Sequence, residues 1–155
     1  RFTCIYFERL FTMRYLGLDL GTKSLGVSIS DRSNTIAMPY KTLRFEEGHD
    51  EVVLKDLEEI VKEKKITEFV LGLPKNMNNS LGFAAERSLR FKEKLEKYFC
   101  LPVRLVDERL STVEAEKILI TGDKSRKKRK KVIDNVASSL ILETYLKQKE
   151  GNNEK

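Results

Sequence analysis

Three acidic positions in this 155-residue chain are spaced to do chemistry together. The first is Asp19, in the run Leu16-Gly17-Leu18-Asp19-Leu20-Gly21. Leu16, Leu18 and Leu20 alternate to one face of a strand, which leaves Tyr15, Gly17 and Asp19 on the other. A lone carboxylate inside a sheet is costly or takes up a proton, so it needs a partner, and a divalent cation is the obvious one. Gly17 and Gly21 keep the backbone bare, as the close approach of a phosphate or sugar would require. The plainer alternative is a strand that ends on Asp as a turn residue.

The second position is the pair Asp107-Glu108, followed by Arg109, at the end of the apolar run Val103–Val106. The third is Asp134. Ile133, Val136, Ala137, Leu140, Ile141 and Tyr145 form an apolar stripe at helical spacing, and Asp134 falls on it in what the pattern makes the first turn, where the positive end of the helix favours an acid. Taken singly, Asp134 could serve only that dipole, and Asp107 and Glu108 could pair at the surface with Arg109. Acids from a first strand, a late strand and a last helix meeting at one sheet edge would instead repel one another. Divalent cations remove that repulsion, and there they would activate water and stabilise the leaving oxygen in phosphodiester cleavage. Hard cations such as Mg²⁺ take the oxygen ligands these residues offer.

Other hydrolytic designs find little support. The single histidine, His49, lies in a loop far from every motif, which argues against Ser-His-Asp and Cys-His arrangements. The two cysteines, Cys4 and Cys100, suit neither a disulfide scaffold nor a zinc site and fit a reducing, cytoplasmic setting. No apolar stretch reaches the roughly 18 residues that a membrane-spanning helix needs. Arg1–Thr12 (RFTCIYFERLFT) precedes the Met13 that opens the first clean strand, and is expected to be a non-native or upstream extension. Glu8 and Arg9 interrupt any signal-peptide core there.

The charge is localised. Asp123–Lys131 (DKSRKKRKK) holds seven Lys/Arg against one Asp, a net of +6, and the whole chain is also +6. Following Gly122 and containing no apolar residue, this segment is expected to be a mobile loop over 122–131. Lys124, Arg126, Lys127, Lys128, Arg129, Lys130 and Lys131 suit a polyphosphate backbone, which they would bind in a salt-dependent and sequence-blind manner.

The elements that must position these groups alternate between strand and helix. Strands are expected at Arg14–Leu20 and Leu25–Asp31, paired as an antiparallel hairpin across Gly21–Ser24, and at Ile36–Leu43, where Pro39 argues for an edge or an irregularity. Further strands are expected at Ile66–Leu73 and Pro102–Glu108. Helices are expected at Asp50–Lys65, Leu81–Phe99, Ser111–Thr121 and Val132–Gln148. The order β-β-β-α-β-α-β-α-α implies one α/β domain over residues 13–150, a mixed five-stranded sheet with its first three strands antiparallel and helices flanking it. Residues 151–155 are expected to be a disordered tail.

Tyr15-Leu16-Gly17-Leu18-Asp19-Leu20-Gly21-Thr22-Lys23, Gly26–Asp31 (GVSISD), Gly72-Leu73-Pro74-Lys75-Asn76-Met77, Asp107-Glu108-Arg109-Leu110-Ser111-Thr112 and Asp134-Asn135-Val136-Ala137 together resemble the bacterial YqgF family, described as pre-16S rRNA nucleases and earlier as Holliday-junction resolvases. The resemblance runs from Met13 to about Lys147. It implies a ribonuclease H-like fold with Asp19, Glu108 and Asp134 as an acidic triad, Glu108 being favoured and Asp107 the alternative ligand. It also implies that Thr22, Lys23, Lys75, Asn76 and Arg109 line a nucleic-acid groove. Two departures stand out: Asn78-Asn79-Ser80 after Met77, where an acid and a glycine are usual, and Ala137-Ser138 in place of paired alanines.

The expected activity is therefore two-metal phosphodiester cleavage with Mg²⁺ or Mn²⁺ on structured RNA, namely precursor 16S rRNA or ribosomal particles during ribosome biogenesis. Three rivals share parts of this pattern. One is resolution of branched, four-way DNA by a symmetric dimer. Another is a ribosome-assembly binder that does not turn over. The third is a phosphate-binding hairpin like that of two-domain sugar kinases, for which the chain is too short. The sequence leaves the oligomeric state open.

Overall fold

The period-two pattern around Asp19 becomes the central strand of a five-stranded sheet. The structure, a computed structural model, describes residues 14–74, 82–107 and 126–153, with side chains of the last helix described from 136 to 149. Strand β1 (Tyr15–Leu20) turns at Gly21, whose N–H donates to the Ser24 carbonyl at 2.7 Å, into β2 (Ser24–Ser30), and β3 (Ala37–Arg44) follows. A short 3₁₀ turn (Asp50–Val52) leads into α1 (Val53–Lys64), then β4 (Glu68–Leu73), α2 (Phe83–Phe99), β5 (Val103–Asp107) and α3 (Arg126–Asn153).

The sheet order is β3-β2-β1-β4-β5, with β1–β2 and β2–β3 antiparallel and β1–β4 and β4–β5 parallel. Pro39 does lie on an edge strand beside an irregularity: the β2–β3 register shifts between Val27 and Ser28. Without an amide hydrogen, proline is tolerated in such a place and not in a central strand.

One sheet face, formed by Leu16, Leu18, Leu25, Val27, Phe69 and Leu71, is covered by Leu57 and Ile60 of α1 and Phe91 and Leu95 of α2. The other, with Tyr15, Val70 and Val106, is covered by Ile141, Leu142 and Leu146 of α3. Both helices on the first face close on residues in the left-handed region, Lys65 at φ 54° and Cys100 at φ 55°. No helix among the described residues is long and apolar enough to cross a membrane.

Three expectations need correction. Residues 126–131 are the first turns of α3 and not a loop. Lys and Arg are good helix formers, and a helix anchored by its packed stretch propagates into a run that carries no apolar signal. Asp134 is consequently more than two turns inside α3, where the dipole no longer favours it. The same helix extends through Asn153, so 151–153 are not a disordered tail. The expected helix at Ser111–Thr121 and the extension at 1–12 lie outside the described residues.

Candidate functional site

The three parallel strands β1, β4 and β5 end together, and the acids of interest sit at that end. Asp19 is the penultimate residue of β1, half-buried, with Gly26 of β2 opposite it. It follows Leu18, which is level with Leu71 of β4, itself level with Leu105 of β5. By strand alternation Asp19 shares the α3 face with Tyr15 and Gly17.

Helix α3 reaches that face through an unusually close contact. A Cβ placed on Gly17 would lie 2.3 Å from Ser28 Oγ and 2.8 Å from Leu142 Cβ, distances no side chain tolerates. Gly17 is therefore bare so that the helix can pack on the strand, and not to admit a phosphate or sugar. Gly21 is likewise confined, by Ser24 in its own turn, 3.3 Å from where a Cβ would stand. In the space at Gly17, Ser138 Oγ donates to the Gly17 carbonyl at 2.9 Å, and Ser28 Oγ donates to the Ser138 carbonyl at 2.9 Å. All of these groups are buried, so their mutual hydrogen bonds avoid a desolvation cost of about 1–3 kcal/mol for each orphaned group. Asp134 lies four residues before Ser138, one helical turn away along α3.

Asp107 ends β5, level with Leu73. It shares strand parity with Val103, which packs on the α1/α2 face, whereas Val106 packs on the α3 face. The strand thus presents Asp107 to the face opposite Asp19. Thr22 and Lys23 are exposed in the turn just beyond Asp19. Glu108, Arg109, Lys75, Asn76 and Lys124 lie outside the described residues, and Arg126–Lys131 are described as helical backbone. Among the described residues no three His, Cys, Asp or Glu gather around one point, since two of the three expected ligands have no described side chain.

The far end of α3 is fixed separately. Lys149 Nζ bonds to the Tyr15 hydroxyl and lies 4.7 Å from the centre of that ring, while Tyr145 meets Tyr15 edge-on at 5.6 Å. Glu68 and Arg104 pair nearby at 3.7 Å. Burial, then the charges of Glu68 and Tyr15, pushes the Tyr145 phenol up. Burial alone would lower Lys149, but its bond to Tyr15 and the surrounding negative charge outweigh this and raise it. These contacts sit at the start of β1 and β4, the opposite end of the sheet from Asp19. Sequence reasoning missed both anchor points of α3. The spacing of Ser138, four residues after Asp134 on the apolar stripe, was the available signal.

Comparison with known proteins bears on the fold and the family. The family model described as "RuvX: Holliday junction resolvase" matches residues 13–148. A Geobacillus sp. (strain WCH70) protein named "Putative pre-16S rRNA nuclease" is 52% identical over 138 residues, covering 89% of this chain and all of that protein. A Leuconostoc mesenteroides protein of the same name is 51% identical over 138 residues, covering 88% and 96%. Among solved structures, Thermus thermophilus RuvC in complex with a Holliday junction substrate superposes with a TM-score of 0.57 at 12% identity, covering 90% of this chain and 96% of that one. The fowlpox virus resolvase, also with junction DNA, gives 0.52 at 13% identity, covering 88% and 98%. At such identities these structures establish the fold, which is ribonuclease H-like as expected. The family match over nearly the whole described domain, together with relatives at half identity, leaves one conclusion: the chain belongs to the RuvX (YqgF) family.

Proposed function

We propose that this protein is a divalent-metal-dependent endonuclease that cleaves phosphodiesters in structured RNA, acting in the 5′ maturation of precursor 16S rRNA in the cytoplasm. The observation that carries the reading is Asp19: a half-buried carboxylate at the carboxyl end of the central strand, on the face covered by the helix that bears Asp134. The names of its half-identical relatives supply the substrate class.

Asp19, Glu108 and Asp134 are the proposed metal ligands. An all-carboxylate donor set fits a hard cation, Mg²⁺ or Mn²⁺, and not zinc or a softer metal. Strand parity argues against Asp107, which β5 presents to the face opposite Asp19. When bound, such ions supply activation of water and stabilisation of charge on the departing 3′ oxygen. The chain's own part is to hold the acids at fixed spacing: Asp19 through β1 and Asp134 through the Ser138–Gly17 contact. The backbone of the substrate is held by Thr22, Lys23, Lys75, Asn76, Arg109 and the basic turns Arg126–Lys131, with Lys124 before them, none of which needs to read sequence.

A second reading is favoured by the family description: the same site resolving four-way DNA. One experiment separates the two. A precursor 16S rRNA 5′ fragment and a synthetic four-way DNA junction are incubated with the wild type and Asp19→Asn, in Mn²⁺ and in EDTA. Metal-dependent cutting of the RNA alone, lost in the variant, supports the nuclease. Symmetric cutting of the junction supports the resolvase. Binding without cutting of either would overturn both in favour of an assembly factor.

A further inference from the structure

We infer that Phe83 is a stacking platform for an unpaired nucleobase at the rim of the site, with Arg87 holding the adjoining phosphate. Its ring is 88% exposed, the most exposed large hydrophobic side chain among the described residues. It opens α2, whose other end is tied down where Phe99 packs on Phe69 at the start of β4, ring centres 5.1 Å apart. From Phe99 back to Phe83 the helix climbs about 24 Å. The strand rises only about 13 Å from Phe69 to Leu73. The helix is thus longer than the strand it packs on and runs from Phe83 back to the start of β4, which puts Phe83 towards the carboxyl end of the sheet, the end that holds Asp19, in the layer opposite α3.

The surroundings of the ring select the ligand. Arg87 is four residues on, so it shares the helix face of Phe83. Arg87 is partly buried, and its Nε is buried with no hydrogen-bond partner among the described residues, so only the outer end of the guanidinium is offered to a phosphate. Arg90 and Glu86 are exposed on the neighbouring turns, and the other exposed large hydrophobics (Ile36, Met38, Val52, Tyr98 and Leu105) lie elsewhere, Tyr98 at the far end of the same helix. A protein-docking face needs a continuous apolar patch of some hundreds of Å². A single ring beside a guanidinium is instead the pair that holds one nucleotide of an unpaired strand, base on the ring and phosphate on the cation. The inference rests on the nucleic-acid reading above and adds a demand to it: the substrate must carry an unpaired stretch within a few nucleotides of the cut.

The test uses binding in EDTA, so that it does not depend on cleavage. The probes are an RNA hairpin with an unpaired single-stranded arm and the same hairpin made blunt. Phe83→Ala should weaken binding of the armed hairpin by roughly 5- to 100-fold, the range for removing one base stack, and leave the blunt hairpin unchanged. The chain contains no tryptophan, so Phe83→Trp creates a single reporter. It should bind like the wild type, and its emission should be quenched by the armed hairpin only. Arg87→Gln should weaken the armed hairpin and flatten its salt dependence. If the wild type binds RNA but Phe83→Ala binds the armed hairpin equally well, or the tryptophan is not quenched, the stacking role is wrong and the RNA reading stands. A dimer lost in Phe83→Ala with unchanged RNA binding would reassign the ring to self-association. Failure of the wild type to bind either RNA would instead overturn the functional reading on which the inference rests.

Discussion

Ser138 Oγ donates to the Gly17 carbonyl at 2.9 Å, so helix α3 lies directly on the backbone of the central strand, two residues from Asp19. Anything that lifts the helix at this point disturbs the spacing between the acid on the strand and the acid on the helix. Gly17→Ala forces a methyl group into Ser28 and Leu142 and is expected to destabilise the fold by about 1–3 kcal/mol, as overpacked cores do. Ser138→Ala removes the buried hydroxyl that bonds both the Gly17 carbonyl at 2.9 Å and Ser28 Oγ at 3.0 Å, and should cost about 1–3 kcal/mol. Urea midpoints measure both. A wild-type midpoint for Gly17→Ala would mean that the helix does not approach so closely.

The triad makes a parity prediction. Asp19→Asn and Glu108→Gln should reduce cleavage to the level seen in EDTA while leaving RNA affinity and the urea midpoint near wild type. Asp107→Asn, on the face away from Asp19, should retain most activity. Single-turnover cleavage of a labelled RNA reads all three, and a dead Asp107→Asn beside an active Glu108→Gln would reverse the assignment.

The basic turns of α3 make a prediction about salt. Replacing Lys127, Lys130 and Lys131 with Gln should lower affinity and reduce the slope of log K against log salt by about 0.7–0.9 for each phosphate no longer neutralised. These three positions precede Asp134 by seven, four and three residues, so they share its stripe on the helix. Lys128 and Arg129 do not, and their double substitution should change the slope less. Equal effects from the two sets would show that helical phase is irrelevant to binding.

Acid stability should report on the β2–β3 connection. Asp31 accepts from Ser33 Oγ at 2.6 Å and from the amides of Thr35 at 2.9 Å and Ile36 at 3.1 Å. These bonds, that from Ser33 foremost, lower its carboxyl from 3.8 to about 2. A depressed folded-state value stabilises the protein above the unfolded value, and the gain is lost as pH falls from about 4 towards 2. Asp31→Asn should therefore be less stable than wild type at neutral pH, with the gap closing through that window. Urea unfolding at several pH values gives the comparison, and a gap that stays constant would remove Asp31 as the cause.

Much of this architecture was legible because local pattern and global fold agree. The alternation of Leu16, Leu18 and Leu20 placed Asp19 correctly on its face, and Pro39 marked its strand as an edge. The extent of α3 was not legible, because Arg126–Lys131 carries no apolar residue to betray a period, and the helix there extends from a packed stretch further along. The reason for Gly17 was also hidden. A bare strand backbone looks the same in sequence whether a ligand or a helix lies against it, and only the contacts with Ser28, Ser138 and Leu142 distinguish the two.

The continuity of α3 has a consequence for how this sequence can change over time. Its 28 residues carry the basic turns, Asp134, the Ser138 contact and the Lys149 anchor on one rigid rod. Inserting or deleting a single residue between Lys131 and Asp134 would swing the basic turns by about 100° around the axis relative to the acid. Seven residues, close to two full turns, would restore the alignment to within about 20°. Lineages descended from this chain should therefore tolerate substitutions along α3 far more readily than changes in its length, and any length change that survives should come in steps of whole turns.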